Sequence, residues 1–186
     1  MKNTSHSPNL SRKIDLHERA ERIRLVCFDV DGTLTDGKLY FDSEGRETKA
    51  FHVHDGQGLV LLRKSGIAVA LVTARKGGIV ERRAAELGVQ AHVDVGDKLE
   101  RVEALCATQG IALDEVAFMG DDLPDLVALR AVGLAAAPAD AQPCLDAAIH
   151  WRAQARGGCG AARELCELIL QAQGRLARIH ADGRVS

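Results

Sequence analysis

The chain has 186 residues, of which 46% are hydrophobic and 27% are charged. This length fits one domain, and the composition excludes disordered, collagen-like and coiled-coil proteins. The 24 basic and 26 acidic side chains give a net charge of −2, so no basic field exists to hold a nucleic acid or an anionic membrane surface. We therefore expect a single globular domain without a nucleic-acid or membrane partner.

The cellular compartment is indicated by the apolar runs, the N-terminus and the cysteines. Apolar runs are shorter than a membrane helix, and the polar residues 1–13 lack the apolar stretch of a secretory signal. The five cysteines are odd in number and show no C-x-x-C spacing, which is typical of a reducing compartment. These features predict a cytoplasmic protein.

Taken in chain order, the hydrophobic pattern predicts strands that alternate with helices. The expected strands are 23–28, 39–41, 48–53, 67–72, 92–94, 116–119, 133–136 and 148–151. The expected helices are 14–22, 57–64, 78–87, 98–108, 122–131 and 161–176. Strands 39–41 and 48–53 form a hairpin, and the regular alternation elsewhere predicts a parallel sheet with helices on both faces. The expected fold is a doubly wound, Rossmann-like α/β sandwich.

The chain divides into three parts within this single fold. Residues 1–22 are a polar extension with a short helix, and residues 23–156 are the main domain, whose hairpin flap covers 38–53. Residues 157–186 are a C-terminal helix and tail of the same domain.

Chemically useful side chains stand at the ends of the predicted strands. They are Asp29, Asp31, Thr73, Lys98, Asp121, Asp122 and Asp125. Ligands of doubly wound sheets bind beyond the carboxyl ends of the strands, so we expect these side chains to meet. Crowded carboxylates call for a cation, and a set of oxygen ligands favours Mg²⁺ over Zn²⁺. A lysine and a threonine beside that ion would bind phosphate, which predicts phosphoryl transfer.

The order of these motifs resembles that of a known superfamily. The segments are Phe28-Asp-Val-Asp-Gly-Thr33, Thr73, Lys98 and Gly120-Asp-Asp-x-x-Asp125, and they resemble the four motifs of the haloacid dehalogenase superfamily of phosphatases. The resemblance implies that Asp29 is the nucleophile that forms an aspartyl phosphate, and that Asp31 is the general acid and base. The other implied roles are metal binding by Asp29, Asp31 and Asp121, orientation of the metal shell and Lys98 by Asp122 and Asp125, and phosphate binding by Thr73 and Lys98.

A longer match covers about residues 24–176. Its segments are Asp36-Gly37, Lys49-Ala-Phe51, Val53-x-Asp55-Gly56, Gly157–Glu164 and Gln171–Gly174, and they resemble the 3-deoxy-D-manno-octulosonate 8-phosphate phosphatases. This implies hydrolysis of that sugar-acid phosphate in lipopolysaccharide core biosynthesis. The implied substrate-binding residues are Asp31, His52, Val53, His54, Asp55, Gly56, Arg75, Arg83, Lys98 and Arg163.

The same resemblance implies a homotetramer. Only a hairpin fits where related phosphatases insert a cap domain, so we expect neighbouring subunits to cover the site, with the hairpins packed together. We expect the C-terminal segment with Arg163 to reach towards an active site. We also expect a chain cut at Arg156 to keep its fold and its metal site.

Several alternatives stay open. His54 and Val60 stand where the family usually has a basic side chain, so another nonulosonate or sugar phosphate is the second substrate hypothesis. Metal binding by His52 and His54 is disfavoured against substrate contact or a solvated strand face. The glycines of Gly157-Gly-Cys-Gly160 form either a substrate or interface loop or a hinge. A receiver-type phosphoacceptor and a non-catalytic homologue are both disfavoured by the order and completeness of the motifs.

Overall fold

The computed structural model describes residues 16–182. The strands are β1 (Leu25–Phe28), β2 (Tyr40–Phe41), β3 (Glu47–Thr48), β4 (Ala68–Val72), β5 (Gln90–His92), β6 (Val116–Met119), β7 (Leu134–Ala137) and β8 (Trp151–Arg152). The helices are α1 (16–21), α2 (Val53–Lys64), α3 (Gly78–Leu87), α4 (Lys98–Gln109), α5 (Leu126–Ala131), α6 (Ala161–Ala172) and α7 (Leu176–Asp182). None of these helices is long and apolar enough to cross a membrane. The N-terminal part of the polar extension lies outside the described residues.

Six strands form one parallel sheet in the order β5-β4-β1-β6-β7-β8, and β2 and β3 form a separate antiparallel hairpin. The predicted α/β fold with a hairpin flap is thus confirmed. All residues of β1, β6 and β7 are buried, because helices cover both faces of the sheet and leave no polar face on these strands. Phe28 at the end of β1 pairs with Leu71 on one side and with Met119 on the other, so the three central strands end together.

The start of α2 differs from the prediction. The hairpin strand ends at Thr48 rather than at 53, and the helix begins at Val53 rather than at 57. The carboxylate of Asp55 accepts hydrogen bonds from the backbone N–H groups of Gly160 and Arg163. This contact joins the first turn of α2 to α6, more than 100 residues away. The local alternation of residue types could not predict it. The prediction that His52 and His54 share a strand face is therefore wrong.

The C-terminal helix is shorter than predicted. It ends at Ala172, and Gly174 takes a left-handed conformation with φ of 67° before α7 begins. Smaller shifts affect the edge strands β5 and β8, and residues 123–125 form a 3-10 turn ahead of α5.

Helix α6 belongs to the core of the protein. Its buried residues are Ala161, Ala162, Leu165, Cys166, Ile169, Leu170 and Ala172, and the helix packs along α2. Removing it would expose this core, so a chain cut at Arg156 is expected to lose its fold, contrary to the expectation from the sequence. The C-terminal segment is a packed part of the domain rather than a free arm.

The glycines before α6 serve close packing. A Cβ atom at Gly157 would lie 1.8 Å from the carbonyl oxygen of Gly32, and one at Gly158 would lie 2.5 Å from the carbonyl carbon of Thr35. The N–H of Gly158 donates to the carbonyl oxygen of Thr33 at 3.0 Å. These contacts press the segment against the loop that follows β1, which favours neither the hinge nor the phosphate-loop interpretation.

Candidate active site

Asp29 and Lys98 form the centre of the site. Asp29 follows β1 directly, and its N–H donates to the carbonyl oxygen of Met119, the last residue of β6. The Lys98 Nζ donates to the Asp29 Oδ1 at 2.6 Å and also to the Asp125 Oδ1. All three side chains are at least 90% buried. Burial lowers the pKa of Lys98, but the charges of Asp29 and Asp125 outweigh burial and raise it overall, so the lysine stays a cation.

Three carboxylates of this centre lie close enough to share a cation. Oxygens of Asp29, Asp121 and Asp125 all lie within 4.8 Å of one another. Burial, followed by the charge of Asp125, raises the pKa of Asp29 well above its ordinary value and that of Asp121 to about 6. The cause is that these carboxylates are poorly solvated and lie close enough to repel each other when they are ionised. A bound divalent cation would stabilise their ionised forms.

The donors present fit Mg²⁺. The Asp125 Oδ2 already accepts from the N–H groups of Asp121 and Asp122, and its Oδ1 accepts from Lys98. Asp125 therefore orients its neighbours, while Asp29 and Asp121 keep oxygens for the metal. These are hard oxygen ligands, and Mg²⁺ commonly takes one or two carboxylates and fills its shell with water and phosphate.

Gly32 lets Asp121 approach the loop after β1. A Cβ atom at Gly32 would lie 2.1 Å from the Asp121 Oδ2, and the residue has φ of 94°, a region that side chains rarely adopt. The Thr33 hydroxyl donates to the Asp121 Oδ1 at 3.3 Å. The D-G-T part of the motif thus positions the second carboxylate of the metal site.

Asp31 lies under the hairpin. Its Oδ1 accepts from the Lys49 Nζ, which also lies 2.9 Å from the Glu47 Oε1. The other Glu47 oxygen accepts from the Arg75 Nη2 at 2.9 Å. The Asp31 Oδ2 and the Arg75 Nε are buried without a hydrogen-bond partner and lie 4.0 Å apart. The hairpin therefore contributes two charged side chains to the site.

Thr73 and Asp122 stand at the same edge of the sheet. Thr73 follows β4, the neighbour of β1, and its buried hydroxyl accepts from the N–H of Arg75 at 3.2 Å, so the hydroxyl proton is free to be donated. The Asp122 carboxylate is exposed and accepts from the N–H of Leu123. Asp122 thus reaches the site through its backbone N–H and not through its side chain.

The chain is similar in sequence to 3-deoxy-D-manno-octulosonate 8-phosphate phosphatase KdsC of Yersinia pestis, with 44% identity over 164 residues and 87% of each chain covered. The chain belongs to this phosphatase family. Its structure is similar to that of the 3-deoxy-D-manno-octulosonate 8-phosphate phosphatase of Moraxella catarrhalis in complex with magnesium, phosphate and KDO, with a TM-score of 0.89 and 41% identity over 91% of this chain and 98% of the other.

The superfamily is confirmed by a second structure. A hydrolase of haloacid dehalogenase subfamily III A from Legionella pneumophila has a TM-score of 0.90 and 41% identity over 94% of this chain and 97% of the other. Models of protein families give no match to the chain.

A second group of family-implied residues lies at the start of α2. A small cleft is lined there by Phe51, His52, Gly56 and Arg83, among others. The Arg83 guanidinium lies over the Phe51 ring at 5.7 Å, and a Cβ at Gly56 would lie 2.2 Å from the Arg83 Nη2. Glycine at position 56 therefore leaves room for the Arg83 guanidinium.

Other implied substrate residues are placed differently. Asp55 is 2% exposed and uses both carboxylate oxygens on the backbone of α6, which makes it a helix cap in this structure. Val53 is 76% exposed, and His54 is exposed beside the ring of His52. The Arg163 Nε donates to Glu167 at 2.7 Å on α6 of the same chain.

Sequence reasoning missed Glu47 and Lys49 as site residues. Lys49 is quoted in the family resemblance, yet its side chain was assigned no role. Its side chain is 5% exposed in a hairpin otherwise rich in exposed residues. The usable signal was the Glu-x-Lys spacing at the end of β3, because residues two apart along an extended chain share a face.

Proposed function

We propose that this chain is a Mg²⁺-dependent phosphatase that hydrolyses 3-deoxy-D-manno-octulosonate 8-phosphate to the free sugar acid and phosphate. The observation that carries the proposal is the buried Asp29 held by Lys98 beside Asp121. Two findings support the choice of substrate. The chain belongs to this phosphatase family, and the Moraxella catarrhalis relative is in complex with KDO, phosphate and magnesium. That sugar acid belongs to the lipopolysaccharide core, and we place the enzyme in the cytoplasm, where phosphorylated sugars are made.

The proposed reaction has two steps. A carboxylate oxygen of Asp29 attacks the phosphorus atom and forms an aspartyl phosphate, while Asp31 gives a proton to the departing sugar oxygen. Asp31 then takes a proton from water, which attacks the phosphorus and frees Asp29. Lys98 and Thr73 hold phosphate oxygens by charge and hydrogen bond. Asp29, Asp121 and the backbone carbonyl of Asp31 would hold a Mg²⁺ ion, which would supply positive charge beside the phosphoryl group.

Arg75 and Arg83 are the proposed ligands of the sugar carboxylate. Both lie beside the loop after β1 or the start of α2, and a guanidinium binds a carboxylate with two parallel hydrogen bonds. His52 and His54 add donors at the same place. The cation that the family usually has at position 60 is a valine here, so recognition rests on the arginines.

A comparison of substrates by kcat/KM tests the proposal. The octulosonate 8-phosphate is expected to exceed hexose phosphates in kcat/KM by at least about 100-fold, because a hexose phosphate lacks the carboxylate that Arg75 and Arg83 would bind. A hexose phosphate cleaved equally well would refute the substrate. A different nonulosonate phosphate preferred over the octulosonate ester would establish the second hypothesis instead.

Metal dependence is measured in the same assay. Chelation is expected to abolish turnover, and added Mg²⁺ is expected to restore it, since uncompensated carboxylates at Asp29 and Asp121 repel a phosphate dianion. Full activity in excess chelator would contradict the metal-assisted mechanism.

We further propose a homotetramer in which the hairpins pack together. Three consecutive hairpin residues, Leu39, Tyr40 and Phe41, are 49%, 43% and 58% exposed, and clustered apolar surface of this kind favours association. Light scattering at assay concentration is expected to give four times the chain mass. Replacing Phe41 by Asp is expected to lower that mass, whereas a wild-type monomer would refute the proposal.

A further inference from the structure

Four alternating charges form a ring between the hairpin and the loop after β1. In order around the ring they are Asp31, Lys49, Glu47 and Arg75. Three edges are direct ion pairs: Lys49 with Asp31, Lys49 with Glu47, and Glu47 with Arg75. The fourth edge, between the Asp31 Oδ2 and the Arg75 Nε, is open at 4.0 Å, and neither atom has a hydrogen-bond partner.

The ring treats the two oxygens of Asp31 differently. The Oδ1 is taken by Lys49, which is 5% exposed and lies between two carboxylates. The Oδ2 has no partner, although it is buried. A buried polar atom without a partner is costly unless a ligand satisfies it. The Oδ2 is therefore the oxygen available to exchange a proton with substrate.

We propose that Lys49 is a positioning residue that holds the Asp31 Oδ1, so that the Oδ2 faces the oxygen between phosphorus and sugar. The inference rests on the proposed function, in which Asp31 protonates that oxygen. Glu47 in turn fixes the ammonium of Lys49 and the guanidinium of Arg75. The hairpin thus orients the Asp31 carboxyl group as well as covering the site.

The burial of Lys49 supports a positioning role over a surface ion pair. An exposed lysine pair contributes little, because solvent screens it and the side chain is free to move. Lys38 at the start of the same hairpin is such a case, with its side chain 73% exposed and 3.4 Å from Asp36. The Lys49 side chain is almost completely shielded from solvent and has little conformational freedom, so its contact with Asp31 is fixed.

The test compares two leaving groups in a single turnover. The sugar alkoxide needs a proton to depart, whereas the phenolate of 4-nitrophenyl phosphate departs without one. Replacing Lys49 by Met keeps the apolar stem and removes the ammonium. We expect K49M to slow the first turnover of the sugar ester by about 10-fold to 100-fold, a part of what a general acid contributes, and to change the nitrophenolate burst by less than about threefold.

Matched variants separate positioning from folding. K38M removes the exposed lysine of the same hairpin and is expected to leave both rates unchanged, while K49R is expected to restore most of the sugar-ester rate because it can still donate to the Oδ1. If K49M does not fold, the E47Q/K49M double variant removes one charge of each sign and is measured in its place.

Equal slowing of both leaving groups, or no slowing of either, would overturn the role of Lys49. If wild-type enzyme fails on the octulosonate ester but cleaves another sugar phosphate, the proposed substrate is wrong, and the comparison is made with that ester. The nitrophenyl arm does not depend on the sugar, so the two failures are distinguishable.

Discussion

Replacing Asp29 by Asn is expected to lower kcat by at least about 10⁴-fold, because the amide keeps the shape of the side chain but cannot attack phosphorus.

The fold of this variant is expected to survive. Burial and the charge of Asp125 raise the pKa of Asp29, so the ionised carboxylate disfavours the folded state in metal-free buffer. A group with a raised pKa stabilises the fold when protonated and loses that contribution as pH rises. A neutral Asn is not subject to this loss, and Lys98 keeps Asp125 as its partner, so D29N is expected to stay folded at neutral pH.

The matched control is Asp114→Asn. Asp114 is 64% exposed and pairs loosely with Arg22 at 3.7 Å, so the same chemical change there is expected to leave kcat and the unfolding midpoint unchanged. D29N with most of its wild-type kcat would show that another group attacks phosphorus.

Replacing Gly157 by Ala is expected to lower the free energy of unfolding by about 3 kcal/mol or more and to reduce activity with it. The added Cβ would lie 1.8 Å from the carbonyl oxygen of Gly32. The obstacle is backbone and cannot rotate away. Gly32 lies between Asp31 and Thr33, so any shift that relieves the clash moves the acid and the residue that holds Asp121. Denaturant unfolding and kcat measured on the same preparation test both effects.

Gly78→Ala is the control for the added methyl group. Gly78 lies in the first turn of α3, and the nearest atom to a Cβ there is the Glu81 Oε2 at 4.0 Å. Alanine is expected to leave activity unchanged and to raise stability slightly, since it restricts the unfolded chain. If G157A unfolds at the same denaturant concentration as G78A, the close packing of this loop is unimportant.

The sequence by itself determined the fold class and the centre of the site. Strands such as β1 and β6 are continuous apolar runs, which identifies them without knowledge of their partners. The rule that parallel strands present their carboxyl ends at one edge then brings Asp29, Thr73 and Asp121 together. The same rule places Lys98 at this edge, since it begins the helix after β5. A lysine side chain is long enough to reach Asp29 from there.

Only the tertiary structure decided the roles of residues whose partners lie far along the chain. Asp55 caps α6 from more than 100 residues away, whereas the family resemblance implied that it binds substrate. The sequence left Gly157 in either a hinge or a substrate or interface loop, because its neighbour in space, Gly32, lies more than 100 residues earlier in the chain. Lys49 was assigned no role, because its burial arises only when the hairpin folds over Asp31. Local patterns report the periodicity of a segment, whereas capping, close approach and ion pairing depend on which distant segment the fold places beside it.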